Sequence, residues 1–138
     1  MSVKVVTTVF YAQESGSAPY TQDITTGKLG GLTPKAAIFI VNGNLIGSAG
    51  QSSNSKAGFG FATSSSARFA TSLAGQNGQG TTQTVWKTAS NRCIYQATHG
   101  GGVWADADFD SFITNGCRIT WQDDPNSDWR ITVIFFAG

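Results

Sequence analysis

Every apolar block in this chain is short, and a turn signal closes almost every one. The blocks fall at residues 3–10, 20–26, 36–41, 58–63, 68–73, 82–88, 92–98, 102–112, 118–122 and 130–136. Asn42-Gly43, Asn77-Gly78, Gly100-Gly101, Asn115-Gly116 and Asp124-Pro125-Asn126-Ser127 lie between blocks, and each is a dipeptide or tetrapeptide that favours a tight turn. No window holds a helical period. Composition points the same way. Leu occurs four times and Glu once, whereas Ser and Thr together number 30 and Gly 17. Strong helix formers are scarce, and β-branched, aromatic and turn residues are plentiful. The expected fold is therefore all-β: an antiparallel sandwich of about ten short strands, jelly-roll-like, with a closed barrel as the alternative.

A chain of 138 residues fits a single domain over residues 1–138, large enough to bury roughly two-thirds of its unfolded surface. The segment 43–55 is the one Gly/Ser/Asn-rich connection and reads as a long loop. Net charge is +1, with Lys and Arg scattered singly. A nucleic-acid partner would need a basic stripe to displace phosphate counterions, and a membrane surface a polybasic cluster, so neither partner is expected. Met1-Ser2-Val3-Lys4-Val5-Val6-Thr7-Thr8 lacks the charged-then-apolar run of a signal peptide, and no stretch approaches a membrane span. A chain made in a cytoplasm is expected, with Cys93 and Cys117 buried and reduced; a disulfide formed after release from a cell is the other possibility.

Two blocks break the one-face pattern of an antiparallel strand. Ala36-Ala37-Ile38-Phe39-Ile40-Val41 is apolar on both faces, and so is most of 131–136. With Ile131, Val133 and Phe135 facing in, Ile134 and Phe136 face out and need a second cover. A long loop of the same chain or a neighbouring subunit would serve, so Ile134 and Phe136 are the candidate subunit interface.

Candidate chemistry is sparse. Period two places Asp106, Asp108 and Asp110 on one strand face next to Trp104. The spacing opens like a calcium loop, but Ser111 and Cys117 stand where Gly and Glu are required. A solvated acidic face is the expectation, with Trp104, Asp106 and Asp108 as candidate ligand-facing residues. His99 is the lone histidine and sits beside a triple glycine; Gly47-Ser48-Ala49-Gly50 is not a nucleophile elbow. A carboxylate pair such as Asp106 with Asp123 is not singled out for glycoside hydrolysis. Gly58-Phe59-Gly60 precedes no helix or Lys, so it cradles no phosphate. Among Trp86, Trp104, Trp121 and Trp129, strand spacing places at least three in the core and leaves Trp104 as the exposed one. No catalytic residue, cofactor or metal is expected.

Several segments, taken in order, carry a resemblance. They are Gly31-Leu32-Thr33-Pro34-Lys35-Ala36-Ala37-Ile38-Phe39, Gly58-Phe59-Gly60-Phe61-Ala62-Thr63, Ala107-Asp108-Phe109-Asp110-Ser111-Phe112, Asn115-Gly116-Cys117-Arg118-Ile119-Thr120-Trp121 and Val133-Ile134-Phe135-Phe136-Ala137-Gly138. Across 31–138 the chain resembles small β-sandwich virion proteins of tailed bacteriophages. It departs from them at Cys117, where an aromatic is usual, and at Ala137-Gly138, where Gly-Gly closes the pattern. The resemblance implies a virion component assembled in the host cytoplasm, and carries over no catalytic or ligand-binding residue. The expected role is a capsid-surface decoration or cement protein bound to the major capsid protein or another virion protein, as a homo-oligomer, possibly a trimer. A tail-tip or fibre-associated module that binds a host glycan is the alternative.

Overall fold

The computed structural model describes residues 2–42, 54–76, 78, 83–125 and 129–138, with the side chains of 54 and 55 left aside. The loop expected at 43–55 therefore falls almost wholly outside the described residues, as do parts of the turns at Asn77-Gly78 and Asp124-Pro125-Asn126-Ser127.

All ten expected strands form: β1 Lys4–Tyr11, β2 Tyr20–Thr25, β3 Ala36–Asn42, β4 Asn54–Ala62, β5 Arg68–Gln76, β6 Gln83–Ala89, β7 Ile94–Ala97, β8 Val103–Ile113, β9 Gly116–Asp123 and β10 Arg130–Ala137. Among the described residues the only helical piece is one 3-10 turn, Gly27–Leu29, where Thr26 Oγ1 accepts from the Lys28 amide. The strands build two antiparallel sheets, six-stranded β1-β10-β3-β4-β5-β6 and four-stranded β2-β9-β8-β7. The roll-like part is the outer nesting of β1 with β10 and β2 with β9; between these pairs the chain runs as two meanders, β3 to β6 and β7 to β9.

The core forms where the alternation of β10 and β3 meets that of β8 and β9. Ile131, Val133, Phe135, Phe39 and Val41 from the large sheet close on Ile119, Trp121, Phe109 and Ile24 from the small one. Burying side chains of this size yields about 1.5–3 kcal/mol each. The β8–β9 hairpin turns at Thr114 and Asn115, with Asn115 taking the left-handed conformation (φ 66°) and Gly116 already paired to Ile113. Asn tolerates that conformation better than other side chains, which is why the turn sits one residue earlier than the Asn-Gly pair suggests.

Beyond this shared core the two sheets are built differently. On β4 and β5 the buried inward positions are Gly58, Gly60, Ala62, Ala70, Ser72 and Ala74. They are small because the backbone of the β7 region passes directly beneath. A Cβ on Gly58 would lie 2.8 Å from the Tyr95 carbonyl oxygen, and one on Gly60 only 1.8 Å from that of Cys93. Ser72 Oγ completes the contact, accepting from the Ala97 amide at 2.9 Å and from Gln96 Nε2 at 3.0 Å. The aromatic and large aliphatic side chains of these strands, Phe59, Phe61, Phe69 and Leu73, lie on the opposite face.

Candidate functional site

Reading the register across the six-stranded sheet gives the composition of its outer face. One row runs Thr7, Ile134, Ile38, Phe61, Phe69; the next runs Val9, Thr132, Ile40, Phe59, Thr71, Thr88. A third runs Tyr11, Arg130, Asn42, Ala57, Leu73, Trp86, and Val5, Phe136 and Ala36 close the far end. Among the described residues Arg130 is the only charged side chain on this face, and it lies over Tyr11 with its guanidinium carbon 5.7 Å from the ring centroid.

These side chains are open to solvent. Phe59 is 55% exposed, Phe61 48% and Trp86 71%. Val5, Val9, Tyr11, Ile38 and Leu73 on the same face are exposed as well. At about half exposure each, these eight amount to roughly 700 Å² of apolar surface. The largest patch on an ordinary monomer spans about 300–600 Å². Ile134 and Phe136 face outward as expected and are half-buried by their flanking strands, while Ile131, Val133 and Phe135 point in. Trp86 was expected in the core. It is instead the most exposed large hydrophobic among the described residues, because Val85 and Lys87, not Trp86, share the inward face of β6.

The cations of β4, β5 and β6 sit on the inner side, reaching toward the small sheet. Arg68 makes an ion pair with Asp108, with Nη2 donating to Oδ2 at 3.0 Å. Lys87 donates to the Gly101 carbonyl, and Lys56 lies over the ring of Trp104. Burial lowers the Lys56 pKa from its ordinary value. Half of the large sheet is thus inside-out: charge and glycine within, Phe, Leu and Trp without. In water alone that pattern is unfavourable.

The acidic segment does not form the solvated face expected of it. Register shifts between Asp106 and Ala107, and again between Phe109 and Ser111, break the alternation of β8. Ala105, Asp106 and Ala107 are buried in succession, and of the three aspartates only Asp110 is exposed. Asp106 is paired with Arg92 and Asp108 with Arg68, and these two guanidinium groups relieve the carboxylate repulsion. No group of three His, Cys, Asp or Glu among the described residues is placed to hold a metal ion. Trp104 is 38% exposed, with Lys56 over its ring and Trp129 at 6.0 Å between centroids, so one face of the indole is already taken. Trp121 and Trp129 are core residues. His99 lies in the turn between β7 and β8.

Polar character concentrates on the small sheet's outer side. Arg118 donates from Nε and Nη2 to the two oxygens of Asp23, at 2.6 and 3.0 Å. That bidentate hydrogen bonding holds the Asp23 carboxyl below its ordinary range. The pair's stabilisation is present above the unfolded carboxyl pKa and is lost as pH falls through the lower folded value.

Cys93 and Cys117 are free and buried. Burial, first of all, pushes the Cys117 thiol up to about 12, and Cys93 well above its usual value. At pH 8 a thiol of pKa about 12 is roughly one part in ten thousand thiolate. A thiol-reactive dye should therefore label neither cysteine in the folded chain and both after urea unfolding. Rapid labelling without denaturant would show that the sheets part there.

No family model matches the chain, and comparison with curated proteins and with solved structures gave no match either.

Proposed function

We propose that the chain is a non-catalytic structural subunit that docks onto another protein through the outer face of its six-stranded sheet. Its setting in this reading is the virion of a tailed bacteriophage, as a capsid-surface decoration or cement protein assembled in the host cytoplasm. One observation carries the reading: about 700 Å² of apolar surface on a face whose one charge among the described residues is Arg130, built from aromatic and aliphatic side chains that the fold directs away from its own core. That area is close to the roughly 800 Å² each partner contributes to a specific protein interface. Aromatic anchors at the centre of such a patch supply most of the binding free energy once water is excluded. The polar, ion-paired outer surface of β2, β8 and β9 would then face solvent on the assembled particle. The virion setting draws its support from the segments of 31–138 that resemble phage β-sandwich proteins, and the major capsid protein is the partner that setting implies.

The test is sedimentation with phage heads stripped of their surface proteins. The chain should pellet with the heads and stay in solution alone. Failure to pellet, together with saturable binding to host-surface glycans, would instead favour a tail-tip receptor module working through the Trp104 region.

A further inference from the structure

Each sheet edge presents a row of backbone groups that another strand can pair with, and folded proteins usually guard such edges. Among the described residues, three of the four edges are guarded. On β1, Lys28 Nζ donates to the Thr7 carbonyl and Gln22 Nε2 to that of Tyr11. β7 has four residues and an irregular register, and Ser72 Oγ accepts from its Ala97 amide. β2 is six residues long and carries the Asp23–Arg118 pair. β6 is different. It has seven residues, Gln-Thr-Val-Trp-Lys-Thr-Ala, with no proline and no register break against β5. Its one charge, Lys87, is turned inward onto the Gly101 carbonyl.

The direction of its free groups follows from one hydrogen bond. Thr71 on β5 donates to the Lys87 carbonyl at 3.2 Å, so Lys87 and its alternates address β5. Thr84, Trp86 and Thr88 therefore turn their N–H and C=O groups to the open side.

We propose that β6 pairs antiparallel with β6 of a second copy of this chain. With Trp86 opposite Trp86 and Thr84 opposite Thr88 of the other copy, all six open backbone groups of each strand are satisfied. The pairing is self-complementary about a two-fold axis normal to the sheet, as an isologous dimer requires. It also sets the two indoles side by side, which shields the side chain that is 71% exposed in the single chain. Two six-stranded sheets become one of twelve, with both apolar faces on the same side. The dimer depends on the β6 edge and not on the identity of whatever the face docks to.

Analytical ultracentrifugation tests it. The chain should sediment at twice 14.5 kDa as concentration rises. Thr88→Pro removes an N–H that β5 does not use, so it should leave a folded monomer. In the unaltered chain, amide exchange at Thr84, Trp86 and Thr88 should slow with concentration. A chain that stays monomeric, or a dimer in which those three amides exchange as an open strand does, would overturn the proposal. Phe59→Ser with Phe61→Ser should keep the dimer while losing the docking partner, so the two proposals fail separately.

Discussion

Gly60→Ala will destabilise the fold by about 3 kcal/mol or more, at the top of the range for overpacked cores. The reason is local and severe. The new Cβ would stand 1.8 Å from the Cys93 carbonyl oxygen, 2.8 Å from its carbon and 3.3 Å from the Phe69 carbonyl oxygen. All three are backbone atoms, so no side chain can rotate aside; β4 and the start of β7 must move apart. Gly100→Ala is the control, because its Cβ meets nothing nearer than Thr98 Oγ1 at 4.0 Å and should change stability by less than about 0.5 kcal/mol. Urea denaturation of both variants measures the difference. Equal midpoints would mean that the sheets do not approach closely at Gly60, and the account of why the aromatics face outward would lose its cause.

The second large effect concerns binding. Phe59→Ser combined with Phe61→Ser should weaken docking to stripped heads by about 100-fold or more, as expected for aromatic anchors near the centre of an interface. The same pair should cost the isolated fold about 1.5–3 kcal/mol in all, since each ring is already half in water and gives up only about half of a full burial, the Phe61–Phe69 contact at 6.0 Å included. Phe39→Ala, by contrast, empties a fully buried site and should cost about 3–5 kcal/mol. A surface double variant that unfolds as readily as Phe39→Ala would show that the outer rings stabilise the monomer. Retained docking by a folded double variant would place the contact elsewhere.

Much of this was legible in the residues. Alternation and turn dipeptides located all ten strands, and the two-sided apolar character of β3 and β10 pointed to an outer face at Ile134 and Phe136. The extent of that face was not legible. In 58–61, Gly and Phe alternate, and periodicity alone does not say which set is the core. Glycine wins the inner side only because the Cys93 and Tyr95 carbonyls lie there, and that proximity belongs to the tertiary fold. The outward placing of Trp86 is illegible for a related reason: Gln83, Val85 and Lys87 share its strand, and neither set of alternate positions is clearly apolar. The pairing of Asp106 and Asp108 with Arg92 and Arg68 was hidden by distance in sequence and by the irregular register of β8, which strict period-two reading does not anticipate.

On the assembled particle, the outer face of the six-stranded sheet should be covered by another protein. Hydroxyl-radical footprinting of the chain, free and bound to stripped heads, reads that cover residue by residue. Phe59, Phe61, Leu73 and Ile38 should be protected on binding, while Tyr95 and Arg118 on the small sheet keep their free reactivity. Protection confined to the small sheet, with Phe59 and Phe61 as reactive as before, would contradict it.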